Sequence, residues 1–377
     1  MPPQTYLLLF VFLAASCQAQ RSTPAPPITE GKEVILLDSL EAAYWVTHDT
    51  KDQFFERIGS LDRSIQLRSE RTVSHGEYQD FLRRDVRDFS IDEKRYLEGE
   101  IQTVYDLCAR LSPYLLPDTL RFIKTRGAYY GPSTYYTREN YIVIPENELS
   151  RHQPGRMQHV LLHELFHVLS RYHPRFREAL YERIGFMQLE WPVVIPSPLR
   201  ERILLNPDGN DFQWAMRIDG ISNDTDGIFE GTDGISKDTD AISNDTDAIS
   251  NGTDAISTWI IPLLFSRYEK YKPKRPGYFA HMDFQLFALE KDTVEQAYVV
   301  QVTSGGESTL GPEYFVEYRK KTRDNTEYLI HPDEILADNF IWAVKGYQNR
   351  SHWDRFSTEG QILLQAIVDF LEKWEGD

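Results

Sequence analysis

Apolar positions recur along the chain with a period that changes several times, and each change marks an element. Residues 7–15 form an unbroken apolar run, closed by the small residues Ala14, Ala15 and Ser16. The run is too short to cross a bilayer and reads as the core and cleavage region of an export signal. Pro24, Pro26 and Pro27 follow, so residues 20–32 read as a linker. From 33 to about 112 apolar residues return every three or four positions: Val34, Leu37, Leu40 and Tyr44, then Leu97, Ile101, Val104, Tyr105 and Cys108. That spacing predicts a mostly helical region, ended by Pro113 and Pro117. Residues 120–145 are rich in Tyr and β-branched side chains, with a turn at Gly131-Pro132. Within them, 141–144 reads as a short buried strand closed by Pro145. A helix is expected from about 154 to 172, stopped by Pro174. Beyond Trp259, residues 284–289 and 297–302 read as strands, 335–344 as a helix and 362–374 as a C-terminal amphipathic helix. The pattern predicts an α+β fold, mainly helical, with a small mixed sheet. A helical N-terminal region (33–118) would precede a larger domain (119–377).

One stretch breaks the pattern. Residues 221–255 are five tandem heptads with nine acidic residues and one lysine. One Ile per seven residues gives no coiled-coil seam, so the segment reads as a solvated insertion within the larger domain. Ser222-Asn223-Asp224-Thr225-Asp226-Gly227 partly matches an EF-hand loop, which makes weak Ca2+ binding a second reading; Ser replaces the first Asp, and later copies carry Ala for Gly. Asn223, Asn244, Asn251 and Asn349 begin glycosylation sequons, relevant only in a eukaryotic source.

Charge narrows the function classes. Acidic residues outnumber basic ones by 58 to 41 in 377 residues, which argues against nucleic-acid binding. Two cysteines, Cys17 and Cys108, make no disulfide framework. Cleavage after Ala19 would release a soluble protein. Cleavage before Cys17 would leave a lipid-modified cysteine, because Leu13-Ala14-Ala15-Ser16-Cys17 resembles a bacterial lipobox; the signal is then 1–16 and the membrane is a partner. The expected location is therefore the bacterial periplasm, the envelope as a lipoprotein, or the exterior.

His163-Glu164-Leu165-Phe166-His167 carries the chemistry. Composition alone would produce roughly 0.02 such H-E-x-x-H matches. Residues four apart share one face of a helix, the spacing two ligands of one zinc ion require. Glu164 lies off that line and can reach a water beside the metal without being a ligand. Val160, Leu161, Leu162, Leu165, Phe166, Val168 and Leu169 surround the motif, so the helix is expected to be buried. A buried carboxylate beside two imidazoles favours a divalent ion. His159, one turn earlier, reads as structural or exposed.

On these residues the chain resembles the zincin metallopeptidases. The resemblance implies a zincin-like catalytic domain, His163 and His167 as zinc ligands, Glu164 as the base that activates water, and a peptide or protein substrate. The 141–144 strand is similar to the edge strand that holds substrate in that superfamily. Two residues compete as third ligand. His173 has the metzincin spacing, but Ser170 stands where that turn needs Gly, and Met187, Met216 and Met282 read as core rather than as a Met-turn. Glu334 opens Glu334-Ile335-Leu336-Ala337-Asp338-Asn339, which resembles the E-x-x-x-D helix of the gluzincins, closest to the neprilysin-like branch. There the Glu binds zinc and the Asp orients the first His, which places Asp338 behind His163. Tyr314, Tyr328, His281 and His331 are candidates to stabilise an oxyanion. The implied activity is zinc-dependent peptide-bond hydrolysis. The alternative is a non-catalytic envelope protein with a structural metal site or an acidic-repeat binding role.

Overall fold

The computed structural model describes residues 31–150, 153, 155–219 and 257–376. The expected export signal with Cys17, nearly all of the linker and the heptad insertion lie outside the described residues. No helix among the described residues is long and apolar enough to cross a membrane.

The fold is α+β, with two sheets rather than the single small sheet expected. The first contains β1 (Glu33–Leu36), β2 (Val86–Arg87), β3 (Thr119–Thr125), β4 (Tyr136–Arg138) and β5 (Tyr141–Pro145), in the order β1-β3-β5-β4, with β2 beside β3. β1, β3 and β5 run parallel, and β4 is antiparallel to β5. The second contains β6 (Phe186–Gln188), β7 (Val193–Val194), β8 (Trp214–Ile218), β9 (Thr258–Ser266), β10 (Met282–Asp292) and β11 (Ala297–Val300), in the order β6-β8-β9-β10-β11-β7. β8 and β9 flank the insertion and pair antiparallel to their ends, Ile218 opposite Thr258. A connection whose ends are already joined can lengthen at small entropic cost, so an insertion here need not disturb the sheet.

Two expectations about strands are corrected. Val34 lies in β1, not in a helix, and Leu40 and Tyr44 are exposed. The Asp38 side chain accepts from the backbone N–H of Leu40 and Glu41, so the helix starts only at Ser39, and the β-branched pair Val34-Ile35 is left to join β3. Residues 141–144 do form a buried strand, but β5 is interior, between β3 and β4; the edge is β4. Tyr141, Ile142, Val143 and Ile144 have no exposed surface, the pattern of a strand covered on both faces.

Among the helices, α1 (Ile91–Leu111), α2 (Arg156–Tyr172), α3 (Pro174–Arg183), α4 (Pro332–Gln348) and α5 (Thr358–Leu371) share one hydrophobic core with strands of these sheets. Ser90 and Glu93 form a capping box at the start of α1, and its predicted stripe, from Leu97 to Cys108, is buried. α2 lies against both α1 and α4. Leu161, Leu162, Leu165, Phe166, Val168 and Leu169 bury its flanks, and Ile335, Leu336, Ala337, Phe340 and Ile341 do the same for α4. The sequence boundary at 118 falls between two paired strands, β1 and β3.

The N-terminal region also braces β4. Arg138 is buried on that strand and forms ion pairs with Asp49 (2.8 Å) and Asp52.

Candidate metal centre

α2 turns His163 and His167 to one side, with ring centroids 4.8 Å apart and planes at 76°. α4 begins at Pro332 opposite them, where the fixed φ of proline suits a first turn, and so brings Glu334 into the same space. Glu334 Oε2 lies 3.0 Å from His163 Nε2 and 3.7 Å from His167 Nε2. The ligand atoms of the three residues lie within 4.8 Å of one another. Donors around a tetrahedral zinc at ~2.0 Å stand about 3.3 Å apart, so this spacing fits one ion. His167 Nε2 is buried without a hydrogen-bond partner among the described residues, the state expected of a nitrogen kept for a cation.

Each imidazole is held from behind by a carboxylate. His163 Nδ1 lies 3.2 Å from Asp338 Oδ1, and Asp338 accepts a 2.5 Å bond from Thr326 Oγ1. His167 Nδ1 lies 2.7 Å from Asp333 Oδ2, while Asp333 Oδ1 accepts from Ser170 Oγ (2.5 Å) and Tyr181 Oη (2.8 Å). A carboxylate at Nδ1 fixes the tautomer that leaves Nε2 open for a metal. Asn206 Nδ2 donates to the other oxygen of Glu334 at 2.6 Å.

Electrostatics follow from burial. Burial opposes charge on Glu334, but His167 and the hydrogen bond from His163 override it and hold its pKa below the usual range. Burial likewise opposes charge on Asp333, yet the bond to His167 leads the groups that draw its pKa down to about 2. Glu164 goes the other way: burial, helped by repulsion from Asp208, pushes it up to about 7. Thr137 Oγ1 holds the Glu164 Oε2 atom at 2.7 Å. The centre gathers carboxylates faster than cations, which favours a metal ion over an empty site.

The centre opens onto a cleft of about 580 Å³, walled by Tyr130, Pro132, Tyr135, Tyr278, Phe279 and Tyr328 and reached by His163, Glu164, Glu334 and Asp338. Among the four oxyanion candidates, only Tyr328 lines it, with its ring stacked 6.2 Å from His163. His331 instead caps α4, accepting from the Asp333 N–H at 3.1 Å. His281 is buried between the backbone of Lys272 and Gly277. Tyr314 lies by Thr258, at β9.

His173 is not brought to the centre. α2 continues straight through Ser170, and the His173 ring packs on Trp374 at 5.8 Å. Ser170 serves Asp333 instead of making a turn. Of the three methionines read as core, Met216 is buried in β8 and Met282 opens β10, while Met187 is exposed on β6. His159 lines the cleft, 3.3 Å from Lys345 Nζ; burial and that lysine push its pKa down to about 4.

Asp333, Thr137, Asn206 and Asp208 belong to the centre and were not singled out from sequence. Asp333 resembles any acid favoured in a first helical turn. Asn206-Pro207-Asp208-Gly209 reads as a turn, and its only hint is that functional groups collect on loops.

No family model matches the chain, and no curated protein or solved structure matches it. The reading of function rests on the geometry of the centre.

Proposed function

We propose that this chain is an exported zinc-dependent peptidase, with His163, His167 and Glu334 holding the ion and Glu164 acting as general base. The observation that carries the reading is the convergence of these three donors from α2 and α4, with His167 Nε2 left without a hydrogen-bond partner among the described residues. Two imidazoles and one carboxylate are a donor set of catalytic zinc, which when bound supplies Lewis acidity and lowers the pKa of a water toward about 7. Asp338 and Asp333 orient the two imidazoles. Thr137 fixes the Glu164 carboxylate at the cleft wall, where it can take a proton from water and return it to the leaving amine. Tyr328 is placed to donate to an oxyanion, and the aromatic walls suit apolar side chains of a peptide.

The test measures bound zinc and peptide cleavage in wild type and in His163→Ala, Glu164→Gln, His173→Ala and Glu334→Ala. The expected result is zinc lost in the first and last, zinc kept but cleavage abolished in Glu164→Gln, and no effect of His173→Ala. Zinc-loaded wild type that cleaves no member of a broad peptide library would sink the peptidase reading and favour a structural metal site.

A further inference from the structure

We propose that a second cavity, beside Asp333 at the back of the centre, binds a tetrahedral oxyanion: phosphate or a phosphate monoester. The inference does not depend on the metal reading. The cavity measures about 310 Å³ and is lined by four cations, Lys51, Arg57, Arg171 and Arg177. Arg171 comes from the last turn of α2 and Arg177 from the first turn of α3. Lys51 and Arg57 are exposed and come from the N-terminal region.

The first support is which polar atoms are left over. Arg171 Nη1, Arg177 Nε and Asn210 Nδ2 are buried without a hydrogen-bond partner among the described residues. All three belong to residues that line this cavity. The Arg171 side chain is 7% exposed and Asn210 3%. Each of the three atoms is an N–H donor, and no buried side-chain acceptor of a lining residue is left over with them. Buried donors call for an acceptor, so the set selects an anion over a cation.

The second support is that the acids lining the cavity are already engaged. Asp52 accepts from Arg138 with both oxygens. Asp333 accepts from Ser170 and Tyr181 and faces His167. Asp208 Oδ1 accepts from the Thr137 N–H, and Asp211 Oδ1 from the Gln213 N–H. Arg177 pairs with no acid among the described residues.

The third support is how two of the donors are held. Arg57 Nη1 donates to Asn210 Oδ1 at 3.2 Å, which fixes the amide with Nδ2 as its free end. Arg171 Nη2 donates to the carbonyls of Pro207 and Asp208, and its Nε lies 3.5 Å from Asp52, so Nη1 is the nitrogen that remains. Guanidinium groups recognise phosphate and carboxylate alike. A carboxylate offers two oxygens and one charge. Three leftover donors with two further cations nearby better match the several oxygens and up to two charges of phosphate.

The test is calorimetric titration of the full-length protein with inorganic phosphate, and with acetate and chloride for comparison. Wild type is set against Arg177→Gln, Arg177→Lys, His163→Ala and Arg175→Gln, the last exposed on the same helix and outside the cavity. Arg177→Gln should weaken phosphate binding about tenfold or more, and Arg177→Lys should fall between it and wild type. Arg175→Gln and His163→Ala should bind within about twofold of wild type. No saturable binding at about 10 mM phosphate, or acetate or chloride bound as tightly as phosphate, would overturn the proposal. Binding lost in His163→Ala but kept in Arg177→Gln would also overturn it, by placing the anion at the metal centre. Should Arg177→Gln fail to fold, the thermal unfolding midpoint of wild type and His163→Ala decides: a rise with phosphate but not with chloride at equal ionic strength, in both proteins, supports the site, and no such rise refutes it. Loss of zinc from His163→Ala bears only on the metal reading.

Discussion

The back and the front of the centre are built from the same chemical pair, an imidazole and a carboxylate, in opposite surroundings. At the back, His167 has no exposed surface and Asp333 almost none, and three side chains donate to Asp333. At the front, the His163 and Asp338 side chains keep 15% and 24% of their surface beside the cleft. The pairing orients an imidazole in both places. Burial decides what else it does: at the back it also holds the fold together, while at the front it leaves one imidazole within reach of the cleft.

Breaking each pair should expose that difference most strongly. Asp333→Ala leaves His167, Ser170 and Tyr181 without an acceptor in the core. It should lose metal and cost about 3–5 kcal/mol of stability by urea unfolding. Asp338→Ala should cost under about 1 kcal/mol and weaken metal binding by about 10–100-fold. Equal losses of stability would erase the distinction.

Next in size is Glu164. Its folded pKa of about 7 exceeds the ordinary 4.5, so the folded chain holds this proton more tightly than the unfolded one. Stability of the metal-free protein should therefore fall as pH rises from about 4.5 to 7, by about 3 kcal/mol. Metal-free Glu164→Gln should lack that slope in denaturation curves at a series of pH values, and added zinc should oppose it in wild type.

Tyr328→Phe should lower kcat about 100-fold while leaving zinc content and unfolding midpoint unchanged. A rise in KM with kcat unchanged would place the hydroxyl outside the reaction.

Asp333 gives the opposite pH sign, and a smaller one. Its pKa is depressed from 3.8 to about 2, so it adds about 2 kcal/mol that is present above pH 3.8 and lost as pH falls toward 2. Acid unfolding of Asp333→Asn should lack this contribution.

The smallest effect belongs to His173→Ala, which loses the edge contact with Trp374. It should cost about 1 kcal/mol and leave metal binding untouched.

The same contrast explains what could be read from sequence. The motifs are written locally: His163, Glu164 and His167 lie within one turn and a half, and Glu334 and Asp338 share a helical face. The position of Glu334 opposite α2 needed the packing of α4, which no spacing reveals. Asp333, one residue from Glu334, reads like a helix-dipole acid until its three donors are in view. Thr137 and Asp208 lie far from the motif in sequence and meet Glu164 only because β4 and the 206–209 turn run past α2. The helical periodicity of 97–108 was legible because one face is buried. Val34 misled because Asp38 delays the helix.

Arg138 bears on how this protein could be processed. Its charge is met by Asp49 and Asp52 from the first quarter of the chain, and β1 is stitched to β3 in parallel. Proteolytic trimming that discarded residues 33–57 would strand a buried guanidinium beneath β4, on the order of 3–5 kcal/mol, and strip a strand from the sheet. The N-terminal segment is thus a permanent brace of the scaffold, not a detachable cover, and maturation by its removal would dismantle the strand it supports beside the cleft.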